Sequence, residues 1–154
     1  MIKFGIFSVF ILLTSFAYSD DIDWNNSELE WHSYEQGMKK IKEGKSKGLL
    51  IFYADWCSTC KLYSKLFKKR KVVKALKNLV LIRVNREENP ELSEKYDFDG
   101  VYIPRTFALD SDGDVVVGLY DKSDQYAYFL PPDDSSYLID FVSALKSQED
   151  KKRH

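Results

Sequence analysis

The chain of 154 residues is poor in the side chains that hold metals or cross-link a fold. It has two cysteines, Cys57 and Cys60, and two histidines, His32 and His154. A structural zinc takes about four ligands, so a site would have to be assembled from both cysteines, a distant residue and the last residue of the chain, which argues against zinc. Two cysteines allow one internal disulfide, and its loop would contain only two intervening residues. Loop-closure stabilisation is smallest for such short loops, so a cross-link placed for stability should span more chain. An excess of either charge is also missing. The 23 basic and 24 acidic residues give a net charge of −1, without the electrostatic footprint of a nucleic-acid binder. There is no internal repeat and no low-complexity block. Beyond the N-terminus there is no apolar run near the roughly 20 residues that span a bilayer.

At that N-terminus, MIKFGIFSVFILLTSFAYSD has the form of a secretory signal peptide. Lys3 supplies the positive start, Phe4 to Phe16 the apolar centre, and Ala17 and Ser19 the small residues before a cut between Ser19 and Asp20. The expected division is residues 1–19 as signal peptide, 20–30 as a polar irregular segment, 31–147 as one folded domain, and 148–154 as a charged tail. Cleavage leaves 135 residues at a net charge of −2, enough chain to bury about two-thirds of its unfolded surface. The expected location is the endoplasmic-reticulum lumen or outside the cell, with no membrane attachment after cleavage. Both compartments permit disulfides. Asn25-Asn26-Ser27 is a formal glycosylation triplet, with Asn25 as acceptor.

Hydrophobic spacing orders the rest. Trp31, Tyr34, Met38 and Ile41 recur at helical steps, with Gly44 and Gly48 bracketing the end. Leu49 to Ala54 is a continuous apolar run, as in a strand covered on both faces. A second helix is expected from Cys57 to about Arg70, burying Cys60, Tyr63, Leu66 and Phe67. Leu79 to Val84 is a second strand. Asn89-Pro90 opens a short helix with proline at its first position. Arg105–Leu109 and Val115–Tyr120, joined through Asp110 to Gly113, read as a β-hairpin. A last helix begins near Ser135. This order implies an α/β fold: a mixed sheet of four to five strands flanked by helices.

A Cys-x-x-Cys where a strand gives way to a helix is a redox signature. Cys57 falls at the helix start, where free backbone N–H groups and the positive dipole end favour thiolate over thiol. Cys60 lies one turn on, on the buried side, as the resolving thiol. Trp56 is either an apolar wall for substrate or a packing aromatic. Ser58, Thr59 and Lys61, in the first turn, are candidates for tuning the thiol.

LLIFYADWCSTCK resembles the strand-to-helix active site of thioredoxins and protein disulfide isomerases. LIRVNREENPELSEKY and VYIPRTFALDSDGDVV resemble the segments that follow there, and the match covers about residues 31–146. YIPRTF together with YAYFLPPDDSSYLIDFVSALK is similar to the small single-domain thioredoxin-like proteins of the endoplasmic reticulum, including the anterior-gradient family. The resemblance implies the thioredoxin fold. It makes Cys57 the nucleophile, Cys60 the resolving cysteine of a redox-active disulfide, and Ile103-Pro104 a cis bond beside them that binds substrate. It implies a thiol–disulfide oxidoreductase, expected as a monomer, acting on cysteine-containing secretory proteins. No organic cofactor or metal is expected; glutathione or another dithiol protein would be the redox partner. Two positions depart from the pattern. Ile51 stands where the family keeps a buried acid, and the C-terminus is Lys-Lys-Arg-His rather than a Lys-Asp-Glu-Leu-like retrieval signal. Arg83 matches a lysine of the neighbouring strand and is either a further candidate for stabilising thiolate or a snorkelling strand-end cation. The rival reading is a non-catalytic binding or chaperone-like module on the same fold.

Overall fold

A computed structural model describes residues 21–119 and 126–148. In chain order the elements are β1 (Trp31–His32), α1 (Tyr34–Gly44), β2 (Gly48–Tyr53), α2 (Ser58–Ser64), a 3₁₀ turn (Lys65–Lys68), α3 (Arg70–Ala75), β3 (Val80–Asn85), α4 (Pro90–Lys95), β4 (Arg105–Leu109) and α5 (Ser135–Ser147). The four strands lie in the order β1-β3-β2-β4. β2 is parallel to β3 and antiparallel to β4, with Ile51 opposite Arg83 on one side and Thr106 on the other. This is the thioredoxin fold.

β2 is apolar throughout because both its faces are covered. Leu49 and Ile51 point into a cluster with Cys60, Tyr63, Phe67, Val72, Leu138 and Leu145, under α2, α3 and α5. Leu50 and Phe52 point the other way, to Ile41, Ile82, Tyr96 and Phe107. α1 lies so close to the sheet that a Cβ on Gly37 would come within 2.2 Å of Ile82.

The structure corrects several expectations. Trp31 belongs to β1, paired with Leu81, not to α1. Ser33 starts that helix instead, its hydroxyl accepting from the Gln36 N–H at 3.3 Å. The other end of α1 does fall between Gly44 and Gly48, on Lys45 in the left-handed region (φ 48°), so that the Lys45 N–H reaches the Ile41 carbonyl. The single helix expected from Cys57 is broken, because Lys69 is extended (ψ 126°) between the 3₁₀ turn and α3. Pro90 does open α4, but Asn89 gives it no side-chain cap; its amide donates to the Asn85 carbonyl. Of the expected hairpin, the Asp110–Gly113 turn is present, with Gly113 at φ 85°. Its return arm is one bridge, Leu109 to Val115; Tyr120 lies outside the described residues.

Residues 21–30, before β1, form no helix or strand, yet they belong to the folded unit. Trp24 is fully buried and meets Trp31, Tyr53, Tyr63 and Phe67 edge-on at centroid distances of 5.3 to 6.3 Å. Ile22 and Leu29 join the same cluster. The polar character of residues 20–30 concealed three apolar anchors at positions of no regular period. No helix among the described residues is long and apolar enough to cross a membrane.

Candidate active site

The site is built where β2 ends. The Cys57 N–H closes a turn onto the Ala54 carbonyl at 3.1 Å, and Cys57 becomes the N-cap of α2 in an extended conformation (φ −75°, ψ 106°). Its sulfur therefore takes the place of the oxygen of an ordinary cap, accepting from the Cys60 backbone N–H at 3.0 Å. Cys57 and Cys60 are joined in a disulfide, their Cα atoms 5.2 Å apart. Cys60 is wholly buried and Cys57 is 5% exposed. Both sulfurs are thus buried, Cys57 slightly less than Cys60, where the sequence led one to expect an exposed Cys57.

Trp56, the residue before Cys57, is 67% exposed and so is not core packing. The Ile103–Pro104 peptide bond is cis, and the Ile103 carbonyl oxygen lies 3.9 Å from the Cys57 sulfur. The structure thus brings Trp56, Cys57, Cys60, Ile103 and Pro104 together. It treats the other named residues differently. The hydrogen bond to the Cys57 sulfur comes from the Cys60 backbone and not from the Ser58 or Thr59 hydroxyls. Lys61 is exposed on α2. Arg83 lies over the Trp31 ring at 5.6 Å; its Nη1 is buried with no hydrogen-bond partner among the described residues. Ser19 and Asp20 lie outside the described residues. Asn25 is 8% exposed, and its amide nitrogen, the atom a glycan would occupy, donates to the Phe67 carbonyl at 2.9 Å. The same amide donates to Glu28 at 3.2 Å, so a sugar there would replace one of these two N–H donors.

At the position of the family acid, Ile51 is fully buried. The polar groups nearest in the sheet are its neighbours, Arg83 and Thr106. Thr106 is engaged by the Tyr63 hydroxyl at 3.0 Å, and burial pushes the Tyr63 hydroxyl well above its usual pKa. Asp55, two residues before Cys57, accepts from the Asn85 amide at 2.8 Å, tying the end of β2 to the end of β3.

The sequence reading passed over Arg105, the residue after Pro104. It is wholly buried. Its guanidinium donates to the Tyr96, Gly100 and Ser93 carbonyls and to the Ser93 hydroxyl, at 2.7 to 3.2 Å, and it lies over the Phe52 ring at 5.0 Å. It holds the end of α4 and the loop that carries Ile103. Asp99 pins the other side of that loop, accepting from the Tyr102 hydroxyl and the Ala127 N–H at 2.6 and 2.7 Å. A signal was present: an arginine opening the uncharged strand that TFAL continues.

Comparison with known proteins agrees with this geometry. The thioredoxin-like family matches residues 30–111. The thioredoxin of Rickettsia bellii (strain RML369-C) is 30% identical over 76 residues, covering 49% of this chain and 70% of its own. Thioredoxin-1 of Caenorhabditis elegans is 32% identical over 71 residues, 46% of this chain and 57% of its own. Among solved structures, the thioredoxin of Thermus thermophilus aligns at a TM-score of 0.61 and 14% identity, covering 78% of this chain and 88% of its own. The disulphide isomerase of Xylella fastidiosa Temecula1 aligns at 0.57 and 22% identity, covering 73% and 88%. At such identities the structural likeness is one of fold. The chain belongs to the thioredoxin-like family. With its Cys57–Cys60 pair it is a thiol–disulfide oxidoreductase, a class that acts on cysteine-containing protein substrates.

Proposed function

We propose that the protein exchanges disulfides with cysteine-containing proteins of the secretory pathway, as one of the small single-domain members found in the endoplasmic reticulum. The observation that carries the chemistry is the Cys57 sulfur at the start of α2, accepting the Cys60 N–H and facing the Ile103 carbonyl. The compartment rests on the pattern of residues 1–19, and the subfamily on YIPRTF and the stretch Tyr126 to Lys146. In the reducing direction, Cys57 thiolate attacks one sulfur of a client disulfide. A mixed disulfide forms and the client's other sulfur leaves as thiolate. Cys60, deprotonated, then attacks the Cys57 sulfur and expels the second client thiolate. Two electrons pass from the pair to the client, and the client thiolates take up two protons. Oxidation runs the same steps backwards. The backbone of Ile103 would pair with an extended client segment. With Ile51 in place of an acid, the Cys60 proton leaves to water or to the departing client thiolate. Glutathione or another dithiol protein would reset the pair.

Replacing the resolving residue tests this. Cys60→Ala should accumulate mixed disulfides with client proteins, resolved on non-reducing gels and abolished by adding Cys57→Ser. Absence of such adducts, with full activity in the double variant, would leave only the binding-module reading. Direction is set by the potential of the pair in defined glutathione buffers. A value near about −270 mV marks a reductase, and one near about −180 mV or above an oxidase or isomerase.

A further inference from the structure

Between Asp55 and Glu87 the chain has no acidic residue. Within that stretch, residues 61–77 hold seven lysines and one arginine, and all eight are exposed. They cover the outer side of α2, the 3₁₀ turn and α3, whose inner side carries Cys60, Tyr63, Phe67 and Val72 into the core. Among the described residues one of the eight is ion-paired, Lys68 to Asp23 at 2.7 Å. Asp134 feels the charge of Lys69 more weakly. At the far end a cleft is lined by Arg70, Lys71, Lys74 and Lys77 with Val73 and a single acid, Glu28. That carboxylate is already taken by the Asn25 amide at 3.2 Å. Lys146 of α5 adds another ammonium there, donating to the Ala75 and Lys77 carbonyls at 2.6 and 2.7 Å.

A chain of net charge −1 steers nothing by its total charge; a local stripe of one sign does. The stripe begins at the reactive sulfur, since Lys61 follows Cys57 by about one helical turn, roughly 6 Å of rise and inside the Debye length of about 8 Å. It is one helix wide. Its course from Lys61 to Lys77 is on the order of 20 Å, about the reach of six or seven extended residues. That shape fits a strand-like polypeptide continuous with a client cysteine better than it fits a flat surface.

We infer that the 61–77 stripe docks acidic segments of client polypeptides, so that cysteines flanked by aspartate and glutamate reach Cys57 preferentially. The inference rests on the activity proposed above and adds its substrate class. The test is exchange kinetics of the purified protein with two peptide disulfides that differ only in flanking residues, glutamates in one and lysines in the other. At low salt kcat/KM should favour the acidic peptide by about tenfold or more, and the preference should shrink to within about twofold near 0.5 M salt. The triple variant Lys65→Glu, Lys71→Glu, Lys74→Glu should reverse it, while the same three changed to Arg should keep it. Alkylation of Cys57 by neutral iodoacetamide should be the same in all forms. Equal rates for the two peptides, or a preference untouched by the charge reversal, overturn the docking surface and leave the oxidoreductase. Exchange with neither peptide overturns both. Stripe-dependent binding to phosphatidylserine vesicles with no peptide preference overturns the client reading in favour of a membrane surface.

Discussion

Arg105 carries its positive charge in a wholly buried place, and its hydrogen-bond partners are neutral. Burial pulls its pKa down from the usual arginine value, with Asp97 and Asp99 opposing at longer range. What keeps it there is the set of carbonyls it satisfies at the end of α4 and in the loop before Ile103. Arg105→Met should therefore cost about 3 kcal/mol in urea unfolding, because unpaired buried acceptors cost about 1–3 kcal/mol each. Arg105→Lys should recover only part, since an ammonium lacks the planar fork. Cys57 and Cys60 lie at the opposite extreme of legibility. Spacing and the end of an apolar run were enough to assign them, since a residue's place at a helix start is a local property. Arg105 was missed because its partners lie 5 to 12 residues away, in α4 and the irregular loop after it, at separations that no period links to the strand.

Among the elements, strands were read more surely than helix ends. An apolar run such as LLIFY needs only burial on both faces to declare itself. Helical spacing, by contrast, continued from α1 back through Trp31, although that residue pairs with β3. The Ser33 hydroxyl, free to cap, ends the ambiguity in favour of a helix beginning at Tyr34. α5 shows a cap that titrates. Asp134 accepts from the Ser136 N–H at 2.9 Å, and the backbone and side-chain bonds from Ser136 hold its pKa below the usual 3.8. A depressed carboxylate stabilises the fold above its unfolded pKa and loses that contribution as pH falls through the folded one. Asp134→Asn should therefore unfold at lower temperature than the parent near neutral pH, with the difference shrinking below about pH 3.8. Thermal melts at several pH values check this.

For the whole molecule, the sheet divides two apolar clusters, and the cysteine-bearing side draws on residues from both ends of the chain. Trp24 fills the space between β1, β2 and the 3₁₀ turn. Trp24→Ala should cost about 3–5 kcal/mol, in the range of large aromatic truncations. Removing residues 21–30 should lower the melting temperature further, although that segment has no regular structure. Both are read by calorimetry or urea titration. The aromatic stretch after residue 125 likewise serves the core edge: Tyr128 packs on Phe107 at 4.3 Å, and its carbonyl accepts from the Thr106 N–H.

The sequence by itself determined the redox pair and the strand–helix–strand frame around it, because these depend on neighbours one or two turns apart. Resemblance pointed to Pro104; composition and spacing held nothing that links it to the cysteines. Only the tertiary structure seats the Ile103 carbonyl beside Cys57 across 46 residues, joins the Asn25 amide to Phe67 across 42, and wraps the lysines of residues 61–77 onto one outward face. Contacts of that range follow from how the strands order in the sheet, and periodicity carries no information on that order.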